Sequence, residues 1–425
     1  MLKKLWNYGR NDSMVRDSFL LFSTTMIANV GAFIFHIIMG RLLGTAGYGV
    51  LGVLLSLIHL LGVPINALQT VVAKFVAKFK ADNEQEKINY LLRKSSVKLL
   101  SYAFLGFIVS VIISPFISAF LKISTLNFLL LSPVIIFVAI LPVARGAFQG
   151  LQRFNMLGLN LFLEILIKLI VGITLVYLGL NVNGAILAVT LSFLFPTLIA
   201  VVMLKKYFVK TNETINTKQI YKYSYPVLIA ILSLVAILSI DILLVKHFFE
   251  ESMAGFYAAA SLSGKIIYFA TLPISQVLFP KSIERQIIKQ STTSILKKGM
   301  LLISLVAIPI VVFYFLFPTL VLNILFGKEF VLIYNTLGYN IIFLFGLAIA
   351  IFSFDYILVN YNLSIDRTSF IYWLIPATIA EAILIYLFHA SLLQVILIVN
   401  IVLFLLLLYL SLYTLKSIKW LKYQS

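Results

Sequence analysis

No cysteine occurs in the 425 residues of this chain. Its absence excludes disulfides, thiol nucleophiles, zinc–thiolate sites and iron–sulfur clusters together. Charge is scarce too: Asp, Glu, Lys and Arg make up 11% of the residues, against about 25% in soluble domains. Acids are the rarer sign, 15 against 33 basic residues. The four histidines, His36, His59, His247 and His389, are scattered and none is spaced i, i+3 or i, i+4 from another, so no metal site is expected. What abounds is hydrocarbon, with 62% apolar residues and a mean hydropathy of +1.07. Such a chain cannot cover a water-facing surface with polar groups. A soluble enzyme is excluded.

A membrane-crossing helix needs about 20 mostly apolar residues. Twelve stretches meet that requirement: 17–40, 48–73, 98–120, 126–147, 157–179, 184–204, 224–247, 253–279, 299–319, 331–357, 369–388 and 391–414. The polar start, residues 1–16, leads into the first without a small-residue cleavage site, so that stretch is expected to be a retained helix. Basic residues set the orientation. With the N-terminus in the cytoplasm, 27 Lys and Arg fall on the cytoplasmic side, including Lys74, Lys78, Arg145, Lys205, Lys281 and Lys416. Only Arg41, Lys122, Lys246 and Lys328 fall outside, while Lys168 and Lys265 lie within spans. The formal charge of +18 is thereby explained as topology, and no nucleic-acid partner is expected. Both termini are expected to be cytoplasmic, in the cytoplasmic (plasma) membrane. The outer loops are too short for a folded domain, and the longest inner loop, expected at 74–97, is too short for a catalytic one.

Two stretches displaced by 208 residues look alike. Gly47-Tyr48-Gly49 opens an apolar run containing Pro64 and leaving through Lys74 and Lys78; Gly255-Phe256-Tyr257 opens one containing Pro273 and leaving through Lys281 and Arg285. Six helices separate the copies, so both keep one orientation. The pattern predicts two six-helix lobes, 1–207 and 208–425, related by an axis along the membrane normal with a site between them. Gly47–Gly52 fits G-x-G-x-x-G, but no strand precedes it, so a dinucleotide fingerprint is excluded. These glycines, and the G-x-x-x-G pairs Gly40/Gly44 and Gly146/Gly150, instead allow close helix contact. The sequons at Asn11, Asn212 and Asn362 lie on the cytoplasmic side and are chance matches.

Ionisable residues within spans say most, because each costs about 2.5–3.5 kcal/mol at the bilayer centre unless it is paired or wet. Glu164 and Lys168 are four apart with the acid first, the favourable helical order. Asp241, Lys265 and Glu381 fall in the seventh, eighth and eleventh spans. Asp355 is placed near an inner end, where snorkelling is cheap. A helix-gluing pair would explain Glu164–Lys168 alone; charges spread over both lobes favour a hydrophilic cavity. There the lysines suit an anionic head group, and the acids suit a sugar or a coupling cation.

Arg41-Leu42-Leu43-Gly44-Thr45-Ala46-Gly47-Tyr48-Gly49 resembles the R-x-L-G-P-x-x-Y-G segment of polysaccharide-biosynthesis flippases. Arg145-Gly146-Ala147-Phe148-Gln149-Gly150-Leu151-Gln152-Arg153-Phe154 resembles their R-G-x-x-Q-G-x-Q-R-F stretch. Asp241, the Gly255–Ala260 run, Phe279-Pro280 and Phe326-Gly327-Lys328-Glu329-Phe330 match in order. Thr45 and Ala46 depart from the pattern, as does Lys168, where arginine is usual. The family is the oligosaccharide-flippase branch of the multidrug/oligosaccharidyl-lipid/polysaccharide exporter superfamily. The resemblance implies an all-α polytopic membrane protein of about twelve transmembrane helices, alternating access, and no enzymatic activity. The expected cargo is a lipid-linked oligosaccharide of the polyprenyl-diphosphate type. Cavity candidates are Lys168, Lys265, Glu164, Asp241 and Glu381, with Arg145, Asp355 and Arg41 secondary. No cofactor is expected beyond a coupling cation, H+ or Na+; membrane lipid and glycan-assembly enzymes are the expected partners. The alternatives are a cation-coupled multidrug exporter, a membrane-embedded glycosyltransferase or polymerase, and a purely structural membrane protein.

Overall fold

A computed structural model describes residues 13–424 except 212, 214–217, 288, 289 and 366. Lys3, Lys4, Arg10, Lys289 and the sequon asparagines Asn11 and Asn212 lie outside the described residues, as does the side chain of Pro64. Among the described residues every regular element is a helix. The helices are α1 (Ser13–Ala81), α2 (Gln85–Leu121), α3 (Thr125–Leu131), α4 (Val134–Gly150), α5 (Phe154–Leu175), α6 (Asn181–Met203), α7 (Lys218–Ile237) and α8 (Ile240–Phe248), followed by α9 (Glu251–Ile287), α10 (Thr293–Leu316), α11 (Pro318–Leu325), α12 (Lys328–Leu337), α13 (Ile341–Ser364), α14 (Ile371–Leu387) and α15 (Leu392–Gln424). In a bilayer only intrahelical bonding or a closed barrel can satisfy the backbone, so an apolar composition forces this outcome.

Nine described helices are long and apolar enough to cross a membrane. Two run through more than one of the expected stretches: Ser23–Gly62 has 40 residues and Phe154–Met203 has 50. Each is interrupted by a left-handed glycine. Gly44 has φ 66° and Gly179 φ 89°, conformations open to glycine at little cost because it lacks a Cβ. Ile371–Leu387 is apolar but shorter.

The chain forms two compact units. Unit 1 comprises Met1–Leu43 and Leu61–Ser224; unit 2 comprises Gly44–Leu60 and Tyr225–Ser425. In unit 1, α5 packs on α6 and α2 on α4. Its core gathers Val72, Val76, Ile88, Leu92, Val143, Ala147, Phe148 and Leu204. In unit 2, α13 is central and packs against α9, α10 and α15.

The loop expected at 74–97 is mostly helical. Helix α1 runs on to Ala81 and α2 begins at Gln85. The turn between them closes on left-handed Asn83, with the Glu84 N–H donating to the Phe79 carbonyl at 2.8 Å. A polar helix is stable in water beyond the lipid, so the composition shift marks the membrane edge and not the helix end. The same closure recurs at Gln152 (φ 59°), where the Arg153 N–H donates to the Phe148 carbonyl at 2.7 Å. Arg145, expected at the cytoplasmic end of the stretch 126–147, accordingly lies inside α4, which continues to Gly150.

Candidate functional site

In unit 1 the polar residues of α5 repeat every fourth position, Asn160, Glu164 and Lys168, which stacks them on one helix face. Glu164 lies in the middle of this 22-residue helix. Its Oε2 is 2.6 Å from Arg145 Nη2 on α4, and its Oε1 is 3.7 Å from Lys168 Nζ. Arg145 Nε donates to Asn160 Oδ1 at 2.8 Å. Asn160 Nδ2 in turn donates to the Pro196 carbonyl of α6 at 2.8 Å. Lys168 Nζ sits over the Phe193 ring, 5.6 Å from its centroid. Two cations surround one carboxylate, so the cluster carries a net positive charge. The three charged side chains keep 12%, 17% and 13% exposure for Arg145, Glu164 and Lys168.

Unit 2 holds the opposite balance. Asp241, near the start of α8, accepts a hydrogen bond at 3.0 Å from the hydroxyl of Tyr257 on α9. Lys265, two turns further along α9, donates to the Leu238 carbonyl at 3.1 Å, in the break between α7 and α8. Glu381 on α14 is close enough to Asp241 for their charges to interact. Asp241 is 3% exposed and Glu381 is fully buried. One oxygen of Asp241 and both of Glu381 lack a hydrogen-bond partner in the protein. Two acids and one lysine give this cluster a net negative charge when all are ionised. Among the described residues no group of three or more His, Asp or Glu is placed to hold a metal ion.

The secondary candidates divide. Arg145 joins the unit 1 cluster. Arg41 is exposed on α1. Asp355 does not snorkel: it is fully buried, with both oxygens lacking partners. Its helix runs to Ser364, seven residues past the expected inner edge, so Asp355 lies about 14 Å from that end rather than beside it.

The pattern of the "Polysaccharide biosynthesis protein" family matches residues 38–334. The chain belongs to that family. An uncharacterized membrane protein of Methanocaldococcus jannaschii is 24% identical over 310 residues, covering 68% of this chain and 71% of its own length. Among solved structures, an inward-facing multidrug resistance MATE family transporter of the MOP superfamily superposes with a TM-score of 0.77. It shares 13% identity, with 96% of this chain and 99% of that one covered. A eukaryotic MATE transporter superposes at 0.65 with 13% identity, covering 97% and 100%. The chain therefore has the fold of those transporters and is a multi-pass membrane protein.

Several of the patterned residues serve packing. Gly146 and Gly150 of α4 lie against the α1 backbone; a Cβ on either would come within 2.6 Å of the Gln69 or Ala73 carbonyl oxygen. In unit 2 the two repeated helix starts meet at Gly49 and Gly255, where a Cβ on Gly255 would lie 1.7 Å from the Thr45 carbonyl oxygen. Tyr48, fully buried, packs its ring against Phe326 and Phe330. Glu329 Oε1 accepts from the Thr45 hydroxyl at 2.9 Å and from its N–H at 3.3 Å, satisfying the helix start after Gly44. Gly44 of the Gly40/Gly44 pair is thus a backbone break.

Sequence reasoning missed Asn160, and it named Tyr257 and Glu329 only within matching patterns, without a role. Asn160 could have been found from its place four residues before Glu164. Tyr257 carried a weaker signal, since a buried phenol needs an acceptor.

Proposed function

We propose that this protein flips a lipid-linked oligosaccharide of the polyprenyl-diphosphate type from the inner to the outer leaflet of the cytoplasmic membrane, by alternating access. The observation that carries the reading is the net positive, partly open Arg145–Glu164–Lys168 cluster at the middle of a membrane helix. A surplus positive charge there costs about 2.5–3.5 kcal/mol on the insertion scale, and an anionic head group offsets that cost. The polyprenyl tail stays in lipid, so only the diphosphate and sugars need a polar route. Membership of a polysaccharide biosynthesis family supports the saccharide cargo, with glycan-assembly enzymes supplying it. Short connections and the absence of a metal-holding group among the described residues give a glycosyltransferase reading no support.

We assign coupling to Asp241 and Glu381, whose unpartnered oxygens are poised to take up H+ or another small cation. With two acids beside one lysine, a proton suits the cluster better than a metal ion. Multidrug export is the second reading, favoured by the fold likeness and this acidic cluster. The test is surface glycan in cells carrying Lys168→Gln or Glu164→Gln, with membrane protein level as control. Loss of glycan at normal abundance supports the flippase; unchanged glycan with lost resistance to cationic drugs supports the exporter.

A further inference from the structure

Within the unit 1 cluster the two cations are held very differently. Arg145 is tied twice, by Nε to Asn160 at 2.8 Å and by Nη2 to Glu164 at 2.6 Å. Asn160 is itself fixed. Its Nδ2 donates to the Pro196 carbonyl, which accepts only, and its Oδ1 faces a guanidinium, which donates only, so the amide cannot flip without losing both bonds. Asn160 is 2% exposed, leaving its Oδ1 no ready water in place of Arg145. Lys168, by contrast, stands 3.7 Å from Glu164, well beyond the roughly 2.7–2.9 Å of a close ammonium–carboxylate hydrogen bond. It ends a flexible four-carbon stem and rests over an aromatic face.

From this asymmetry we infer that Lys168 is the group that meets the anionic ligand, while Arg145 and Asn160 are positioning residues that keep Glu164 neutralised so that Lys168 is free to turn. The inference rests on the proposed anionic cargo and divides the labour within its site. Moving Lys168 to an anion leaves Glu164 still paired with Arg145. Moving Arg145 would strand both the Asn160 oxygen and the Glu164 carboxylate, two buried acceptors. Lys168 therefore moves at lower cost. Removing Arg145 defeats the arrangement indirectly, because Lys168 becomes the sole partner of Glu164 and is captured by it.

The experiment uses the full chain in lipid nanodiscs, with inorganic pyrophosphate as the probe and calorimetric titration as the readout. Lys168→Gln and Arg145→Gln should each weaken binding by about tenfold or more, for different reasons. Adding Glu164→Gln to Arg145→Gln should restore binding, since Lys168 is released. Adding Glu164→Gln to Lys168→Gln should not, because Asn160 still holds Arg145. Adding Asn160→Leu to that last pair should restore it by freeing Arg145; a merely structural Asn160 would give no such rescue. The reverse pattern, with rescue of Lys168→Gln but not of Arg145→Gln by Glu164→Gln, overturns the assignment.

A control that does not depend on how each variant folds exploits the lack of cysteine. A single Lys168→Cys protein is divided and labelled with a cationic aminoethyl thiosulfonate or a neutral methyl thiosulfonate. Binding recovered by the cationic adduct alone supports the assignment, and equal binding by both contradicts it. Pyrophosphate binding that is tight but indifferent to position 168 sinks this inference while leaving the anionic cargo standing. No binding by the unsubstituted protein sinks both.

Discussion

The charge clusters of the two units solve one problem in opposite ways. In the unit 1 cluster each of the three charged groups has a partner, the balance is positive, and the side chains keep some exposure. In the unit 2 cluster two acids stand beside one lysine, Asp241 and Glu381 are buried, and carboxylate oxygens lack partners. A paired, slightly open cluster can exchange one partner for a ligand anion without stranding a charge. A closed cluster with unpartnered acids can exchange only something as small as a proton or a bare cation. The difference teaches that membrane charges are sorted by access as well as by sign.

That contrast can be broken by removing one partner. Arg145→Gln leaves Glu164 with Lys168 as its one remaining partner and the Asn160 Oδ1 without its donor, and should destabilise the protein by about 3 kcal/mol, read as a fall in melting temperature of the purified protein. The double substitution Arg145→Gln/Glu164→Gln should recover most of the loss. If the single substitution costs nothing, the unit 1 cluster is more hydrated than a fixed pair allows. Packing makes the next largest effect. Gly255→Ala drives a methyl into the Thr45 carbonyl and should cost about 1–3 kcal/mol in the same measurement, with no rescue from substitutions in unit 1. Asp355 sharpens the comparison from the other side. Replacing a buried carboxyl that lacks partners with an apolar side chain, Asp355→Leu, should raise stability by about 1–2 kcal/mol. Asp241→Leu should not, because it strands the Tyr257 hydroxyl. Equal responses at the two sites would contradict the distinction drawn between them.

Much of this was legible in the sequence where periodicity and chemistry coincide. Glu164 and Lys168 are four apart, so the helix itself brings them to one face, and the structure finds them together. Gly146 and Gly150 are similarly readable, because small residues four apart on one helix face let a neighbouring helix backbone approach closely. Arg145 was readable as the basic end of a span but not as the partner of Glu164, because only packing of α4 against α5 brings the two together. Tyr257 and Glu329 meet their partners across 16 and 284 residues of chain, and no periodicity in the sequence connects either one to its partner. Twelve apolar stretches became nine qualifying helices among the described residues, in part because the breaks at Gly44 and at Gly179–Asn181 are too short to separate the helices they join.

Orientation has the smallest energetic consequence and a clean assay. A lone cysteine at Asn83 should resist an impermeant thiol reagent added to intact cells, and one at Lys122 should react, since the charge distribution puts these turns on opposite sides. Reaction at Asn83 would invert the topology and the proposed direction of flux with it.

The central claim is that the basic cluster of unit 1 carries an anionic, lipid-linked saccharide across the membrane. Purified protein reconstituted in liposomes with a fluorescent polyprenyl-diphosphate oligosaccharide tests it directly, with an impermeant quencher reporting which leaflet holds the label. The account predicts that the protein moves the label between leaflets and that Lys168→Gln does so at least about tenfold more slowly at equal reconstitution. Liposomes in which the label stays in its original leaflet while an organic cation is transported would contradict it.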